Sequence, residues 1–350
     1  MELLLKSFDP KRILVIQLRQ IGDVLLSTPA VRALRKRYPK AHIAYLVEER
    51  PGLVLQGNPN LDEIMIRPIP LRRGARWREP FETIRRVRQA RFDLVVDFLA
   101  SPRTAPITYL SGAEVTISFA NRRRRFLYSH PVMPEGIYAA AQKLSLLRVL
   151  GIEGESLDLD MPVPEAARRM IAEFFEKQGL KNGRPVVAME PFHKRPVREW
   201  PGSHFARLAD LIAKNWKAHV VFSWGPGKEA AIQEILAQAK SPHVLAPPTD
   251  LHQLAALYNA ADLYVGNDCG PRHIAGSQGK PTFAILGPTD EAWTPPHDPR
   301  HQTVAKAIAC RPCNLRYCPE GHHACMRELS PEEVFAALDR FWNSIQGPRK

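Results

Sequence analysis

Several short segments of the chain combine residue types that bind phosphate or move protons. Gly22 and Asp23 follow a β-branched segment at residues 12–18 and come just before a predicted helix. Three later apolar segments are followed by loops of similar composition, at residues 224–227 (WGPG), 267–273 (NDCGPRH) and 287–290 (GPTD). Ligands of open α/β sheets bind beyond the carboxyl ends of the strands. Three such loops at one edge of one sheet predict a nucleotide-binding cleft.

Two of these segments also fit plainer structural roles. The helix dipole stabilises an Asp23 carboxylate at a helix start, but on this segment alone we favour an N-cap, with Gly22 in the turn. At residues 267–273, backbone N–H groups of a helix start would accept a phosphate, Gly270 would allow close approach and Arg272 would add charge. An Asp-capped turn accounts for that spacing equally well.

The cysteines suggest a metal site. Four of the five lie within a short segment, at Cys310, Cys313, Cys318 and Cys325, with His322 and His323 between the last two. A Cys-x2-Cys pair with two further soft ligands can hold a tetrahedral zinc ion, although the spacing differs from that of a standard finger. Structural thiols or a disulfide-prone loop are the alternative, and the irregular spacing slightly favours them.

Basic residues are concentrated in the first half of the chain. The formal net charge is +13, and between Arg67 and Arg125 there are fourteen Arg, no Lys and five acidic residues. A solvated helix face accounts for part of this surplus. With Trp77 and Phe81 interleaved, nucleic acid is a second interpretation, and a phosphorylated sugar or anionic lipid is a third. No nucleic-acid-binding motif is present, which favours the third.

The composition, 45% hydrophobic and 24% charged, is that of a globular protein and excludes a disordered, collagen-like or coiled-coil chain. No stretch reaches the roughly 18 apolar residues of a membrane-spanning helix. The N-terminus lacks the pattern of a signal peptide. We therefore expect a cytoplasmic protein.

Apolar segments alternate with amphipathic ones, which predicts parallel sheets covered by helices. In the first half we predict strands at 12–18, 42–47, 61–66 and 94–98, and helices at 24–38 and 80–90. In the second half we predict strands at 185–189, 219–224, 263–265 and 282–286, helices at 166–178, 205–215, 228–240, 252–260 and 273–278, and a closing helix at 331–345. With a linker near 156–164, this predicts two Rossmann-like domains, residues 1–165 and 166–350, without the GxGxxG fingerprint.

Taken together, the motifs resemble those of glycosyltransferase family 9, the lipopolysaccharide heptosyltransferases. The resemblance runs in order from about residue 11 to the C-terminal helix. It is carried by Gly22-Asp23-Val24 with Ser27-Thr28-Pro29-Ala30, Arg198-Glu199-Trp200-Pro201, Trp224-Gly225-Pro226 with Glu229, Asn267-Asp268-Cys269-Gly270-Pro271 with His273, Gly287-Pro288-Thr289-Asp290, and Cys325-Met326.

The resemblance implies a GT-B fold, in which two Rossmann-like domains face each other across a cleft and the C-terminal one binds the donor. It implies transfer of heptose from ADP-heptose to the inner core of lipopolysaccharide, with inversion and without a catalytic metal or cofactor. Asp23 resembles the family's proposed base, and Arg198 would hold the departing diphosphate. The donor-binding residues implied are Gly22, Trp224, Gly225, Glu229, Asp268, Cys269, Gly270, Pro271, His273, Gly287 and Thr289.

The implied acceptor is a phosphorylated glycolipid in an anionic membrane. We therefore expect the N-terminal domain to bind it through Arg122, Arg123, Arg124 and Arg125, and the protein to lie on the inner face of the inner membrane without binding nucleic acid. A transferase for another nucleotide sugar and a non-catalytic binding protein of the same fold remain alternatives.

The sequence departs from the usual family pattern at three places. Cys269 replaces the usual Ser or Thr, Arg272 stands at a position that is often apolar, and residues 190–194 (EPFHK) replace a loop of small residues. A thiol is a weak hydrogen-bond donor, so the first departure concerns phosphate binding directly.

Overall fold

The computed structural model of the chain describes residues 5–68, 75–291, 295 and 298–346. The chain divides into two compact units, Met1–Pro162 (unit 1) and Val163–Lys350 (unit 2). Arg72 and Arg73 of the Arg-rich segment, and the side chains of Arg76 and Trp77, lie outside the described part.

The described residues of unit 1 form one sheet of six parallel strands. The strands are β1 Arg12–Ile16, β2 His42–Glu48, β3 Glu63–Arg67, β4 Leu94–Asp97, β5 Val115–Phe119 and β6 His130–Val132, in the spatial order β3-β2-β1-β4-β5-β6. The helices are α1 Ile21–Leu25, α2 Thr28–Arg37, α3 Glu49–Gly52, α4 Ala75–Gln89, α5 Ala105–Tyr109 and α6 Ala139–Ser145. The strand order reverses between β1 and β4, so a ligand of this sheet is expected beyond their carboxyl ends.

The single helix predicted at residues 24–38 is wrong, because α1 ends at Leu25 and α2 begins at Thr28. Pro29 lies in the first turn of α2, and a proline inside one continuous helix would remove a backbone hydrogen bond. The Ser27 hydroxyl donates to the Val24 carbonyl at 2.6 Å and lies 2.5 Å from the Tyr45 hydroxyl. The Ser-Thr-Pro motif therefore forms the corner between the two helices.

The described residues of unit 2 form a second sheet of six parallel strands. They are β7 Val186–Glu190, β8 His219–Phe222, β9 Val244–Leu245, β10 Leu263–Asn267, β11 Thr282–Leu286 and β12 His301–Ala305, in the order β12-β11-β10-β7-β8-β9. The helices are α7 Glu165–Lys177, α8 Gly202–Trp216, α9 Glu229–Ala237, α10 Leu251–Ala260, α11 Gly270–Ser277, α12 Ala324–Arg327 and α13 Pro331–Gln346. Here the order reverses between β7 and β10.

The core of unit 2 joins the sheet to its last helix. Trp216 of α8 stacks on Trp342 of α13, with ring centroids 5.1 Å apart, and Phe283 of β11 lies 5.7 Å from Phe341 of α13. The closing helix therefore completes unit 2. None of the helices in the described part has the length and apolar character needed to cross a bilayer.

Candidate active site

Asp23 lies beyond the carboxyl end of β1, at the point of unit 1 where the strand order reverses. It is half-buried in the first turn of α1, whose N-cap is Gln20, and no side chain caps this helix. The interpretation of Asp23 as an N-cap is therefore wrong. Gly22 is buried inside the same helix rather than in a left-handed turn. A partly exposed carboxylate at a helix N-terminus can accept a proton from a bound hydroxyl group.

Lys143 lies against Asp23, and sequence reasoning missed it. This side chain of α6 is only 4% exposed, and its ammonium donates a hydrogen bond to the Asp23 backbone carbonyl at 2.5 Å. Burial lowers the pKa of Lys143 to about 8. The positive charge of Arg19 lowers this pKa further, whereas the Asp23 carboxylate opposes the shift. The contact joins residues 120 positions apart, so no local pattern could indicate it.

A second buried carboxyl supports the same edge of unit 1. Asp97, the last residue of β4, accepts hydrogen bonds from the Tyr128 hydroxyl at 2.7 Å and from the Leu99 and Ala100 backbone at 2.8 and 3.1 Å. Burial raises its pKa, and these bonds oppose the shift. Asp97 therefore fixes the loop after β4.

Arg122–Arg125 lie in the segment between β5 and β6. Three of them are exposed and Arg124 is partly buried, and none forms a salt bridge with a described acidic residue. Phe126 beside them is 76% exposed, and Phe81 of α4 is 73% exposed. Unpaired arginines with the exposed Phe126 ring beside them form a surface suited to an anionic, partly apolar ligand.

In unit 2, Asn267 connects the loops at the carboxyl ends of β7 and β10. It is fully buried; its amide donates to the Pro191 carbonyl at 2.8 Å, and its oxygen accepts from the Trp200 backbone N–H at 3.1 Å. Arg198, two residues before Trp200, is thereby placed near Asp268. Burial lowers the pKa of Arg198, and the Asp268 carboxylate opposes that shift.

The N-terminus of α11 is open to an anion. Its N-cap is Cys269, which makes no side-chain capping bond, and Asp268 accepts instead from Arg272 at 3.4 Å. The Asp-capped turn is therefore not found. Gly270 and Pro271 form the first turn, followed by the partly buried His273. The first N–H groups of a helix lack intrahelical acceptors and bind phosphate.

Three side chains near this helix start carry a buried polar atom without a hydrogen-bond partner among the described residues. They are Nε of Arg198, Nη2 of Arg272 and Oγ1 of Thr289. Arg272 is only 3% exposed, so its guanidinium is not a solvated surface charge. An unpaired buried donor costs about 1–3 kcal/mol. A bound diphosphate would remove that cost at the donors it reaches.

The Cys269 thiol is buried beside Tyr264. It lies 3.6 Å from the Tyr264 hydroxyl, and burial, reinforced by nearby Glu190, raises its pKa. Glu190 ends β7, is 4% exposed and accepts from the Ser223 hydroxyl at 2.8 Å. Burial raises the pKa of Glu190 to about 8. At neutral pH both groups are therefore mostly protonated.

The loop after β8 lies beside the loop after β7. The Trp224 indole donates to the Ala246 carbonyl at 2.9 Å, and the Lys228 ammonium is 5.0 Å from the Phe192 ring centre. Gly225 is partly buried, whereas Glu229 is exposed in the first turn of α9. Glu229 is thus free to contact a ligand at this edge.

The cysteine-rich segment supports the loop after β11. Arg311 donates to the carbonyls of Gly287 at 2.6 Å and Thr289 at 3.0 Å. A Cβ on Gly287 would lie 2.8 Å from the sulfur of Met326, so a larger residue there would displace the Met326 side chain. The segment carrying the cysteines therefore fixes the loop that carries Thr289.

The four clustered cysteines line one cavity of about 30 Å³, together with His322. All are free thiols in this part of the described structure, so the disulfide alternative is not found. Burial raises the pKa of Cys325, and the other three thiols add to the shift. Among the described residues, no three His, Cys, Asp or Glu side chains converge closely enough to hold a metal ion as they stand.

Comparison with known proteins decides the family. The profile of glycosyltransferase family 9 (heptosyltransferase) matches residues 81–324. The chain belongs to glycosyltransferase family 9. It is therefore a nucleotide-sugar glycosyltransferase, and the resemblance identified from the sequence motifs is confirmed.

Relatives within family 9 extend along most of the chain. Lipopolysaccharide heptosyltransferase 3 of Escherichia coli is 28% identical over 286 residues, 78% of this chain and 83% of that protein. Lipopolysaccharide heptosyltransferase 2 of Escherichia coli K12 is 25% identical over 350 residues, 94% of this chain and 97% of that protein.

Solved structures of family 9 share the fold. A family 9 glycosyl transferase from Veillonella parvula aligns with a TM-score of 0.76 at 25% identity, covering 95% of this chain and 97% of that one. The Escherichia coli ADP-heptose lipopolysaccharide heptosyltransferase II aligns with a TM-score of 0.75 at 21% identity, covering 96% and 100%. The expected GT-B class, with two Rossmann-like units, is confirmed.

Proposed function

We propose that this enzyme transfers heptose from ADP-heptose to the inner core of lipopolysaccharide, with inversion at the anomeric carbon. The names of the relatives support the donor and acceptor classes. The observation that carries the proposal is the donor edge of unit 2, where buried, unpartnered Arg198 and Thr289 atoms accompany the uncapped start of α11. That arrangement suits a diphosphate.

Asp23 is the general base of the proposed reaction. Its carboxylate takes the proton of the acceptor hydroxyl, and that oxygen attacks the anomeric carbon of the donor. The bond from this carbon to the diphosphate oxygen breaks, and ADP leaves with the bonding electrons. Arg198 and the N–H groups of α11 stabilise the charge that develops on the diphosphate.

The remaining donor residues have separate roles. Asp268 holds Arg198 and Arg272 in place, Gly270 allows close approach of the diphosphate, and Glu229 binds the ribose. Cys269 contributes through its backbone, because its thiol lies beside Tyr264. The other predicted donor residues, which shape the surrounding loops, are Gly22, Trp224, Gly225, Pro271, His273, Gly287 and Thr289.

Unit 1 binds the acceptor and the anionic membrane surface. Arg122–Arg125 bind phosphate groups of the glycolipid, and Phe126 and Phe81 enter the interface between headgroups and acyl chains. The enzyme in this proposal works on the cytoplasmic face of the inner membrane and does not bind nucleic acid.

Zinc held by Cys310, Cys313, Cys318 and Cys325 has a structural role in this proposal. Four thiolates around one small cavity match the ligand chemistry of structural zinc, and their side chains would close on the ion as it binds. The Arg311 contacts would transmit that order to the loop of Thr289.

An Asp23→Asn variant tests the proposal in a transfer assay with ADP-heptose and a lipid-linked inner-core acceptor. Asparagine keeps the shape of the side chain and removes its basicity. We expect turnover to fall by about 10²–10⁴-fold with donor affinity unchanged. The control is Asp9→Asn, an exposed site that pairs with Lys11.

Near-normal turnover of Asp23→Asn would eliminate the base. NMR of the product tests inversion, since the new linkage must have the anomeric configuration opposite to that of the donor. Preferential use of another nucleotide sugar would overturn the assignment of the donor.

A further inference from the structure

A buried lysine faces the proposed base. Lys143 is the only lysine among the described residues that is buried, at 4% exposure. Its ammonium donates to the backbone carbonyl of Asp23, in the first turn of α1. An ammonium has three N–H donors, so this bond leaves two, and the Asp23 carboxylate is close enough to act electrostatically on the ammonium.

The charges around Lys143 single out Asp23 as its counter-ion. The Asp23 carboxylate attracts the ammonium, and Arg19, from the loop before α1, repels it. The cations of the neighbouring helix α2 are engaged elsewhere: three bind acidic residues, and Arg37 donates to the Lys6 carbonyl. Those pairs are Arg32 with Asp160, Arg35 with Asp62 and Lys36 with Glu155.

Burying an ammonium is costly unless it gains a partner with opposite charge. A methionine or leucine at position 143 would fill the same space without that cost. The buried Lys143 ammonium therefore indicates a functional role beside Asp23.

We propose that Lys143 is a positioning residue for the transfer reaction, which fixes the first turn of α1 and directs the Asp23 carboxylate toward the acceptor hydroxyl. This inference rests on the proposed function, because it requires Asp23 to act as the base. Lys143 acts through Asp23 and need not touch the reacting atoms.

The positioning depends on pH with a defined sign. The pKa of Lys143 is lowered to about 8 by burial. Below that pH the ammonium is charged and holds Asp23, whereas above it the charge is lost. The kcat of the parent enzyme should therefore decline as the pH rises past about 8.

Two variants and a control test this role. Lys143→Met fills the space without charge, and we expect kcat to fall by about 10²-fold, the cost of a misplaced catalytic group, with donor affinity and melting temperature little changed. Lys143→Arg keeps a charge that stays protonated throughout this range. It should restore much of the kcat and remove the decline above pH 8. Lys36→Gln, an exposed lysine of α2, is the control.

A double variant separates this inference from the proposed function. In the Asp23→Asn background, Lys143→Met should cause no further loss, because both changes act on one group. An active Asp23→Asn enzyme would overturn the proposed base. An inactive Asp23→Asn enzyme with a fully active Lys143→Met enzyme would overturn the role of Lys143 alone. If Lys143→Met and Lys143→Arg lowered kcat to the same extent, and both also lowered the melting temperature, the lysine would be purely structural. That result would also overturn the proposed role of Lys143.

Discussion

The Glu190→Gln variant tests whether the carboxyl group beneath the donor edge is neutral at physiological pH. Glu190 is 4% exposed, and burial raises its pKa from 4.5 to about 8. Glutamine has nearly the same shape, keeps an acceptor for the Ser223 hydroxyl and carries no charge at any pH. The substitution therefore removes the titration and keeps the shape of the side chain.

Folding changes the pH at which Glu190 releases its proton. In the unfolded chain it ionises near pH 4.5, whereas in the folded protein it stays protonated until about pH 8. The stability linked to this group is complete below pH 4.5 and is lost as the pH rises to about 8. From pH 4.5 to pH 7 is about 2.5 pH units. At about 1.36 kcal/mol per unit, the free energy of unfolding is lowered by about 3 kcal/mol at pH 7.

We therefore expect Glu190→Gln to match the parent enzyme at pH 4 and to exceed its free energy of unfolding by up to about 3 kcal/mol at pH 7. Urea unfolding followed by tryptophan fluorescence, at intervals from pH 4 to pH 8, measures the difference. Glu234→Gln, an exposed site on α9, is the matched control. A difference between variant and parent that stays constant across this pH range would refute the reasoning.

Two further predictions concern the cysteines and the arginines. Purified protein should contain about one equivalent of zinc. Chelation should lower the melting temperature, and it should weaken donor binding because Arg311 holds the loop of Thr289. Metal-free protein with an unchanged melting temperature would favour free structural thiols. Replacing Arg122–Arg125 by Ser should raise the acceptor KM and weaken binding to anionic vesicles, and both parent interactions should weaken with salt. Donor affinity should not change, and parent protein that binds duplex DNA as tightly as vesicles would contradict the assignment.

The central strands could be predicted from the sequence because burial on both faces requires unbroken apolar segments. β1, β4, β7 and β11 fall on the expected segments. Four strands were missed. β5 (VTISF) is an interior strand and fully buried, but its Thr and Ser interrupt the apolar pattern. The other three lie at sheet edges and lack the signal. β6 (HPV) and β9 (VL) are short, and β12 (HQTVA) begins with three polar residues and is only partly buried.

Only part of the candidate site could be predicted, because a single sequence shows local patterns and not contacts between distant residues. Loop motifs after strands mark their own position along the chain, so residues 22–23, 267–273 and 287–290 could be identified from local composition. Lys143 could not, because its partner is 120 positions away and α6 was not predicted. Nor could the role of Asn267, whose two bonds join loops more than sixty residues distant.

Two of the departures from the usual family pattern meet in the structure. Glu190 and Cys269 come from different strands, yet the Glu190 carboxyl acts directly on the Cys269 thiol. A Ser or Thr hydroxyl at position 269 would be a good donor to Glu190, and such a bond stabilises the carboxylate. A thiol donates weakly and does not offset the burial that keeps Glu190 protonated, beneath the helix start that we propose binds the diphosphate. Ionised Glu190 would instead place a negative charge near the donor. The cysteine and the glutamate are thus compatible as a pair, and we expect Cys269→Ser to weaken donor binding at neutral pH in the parent enzyme but not in the Glu190→Gln variant.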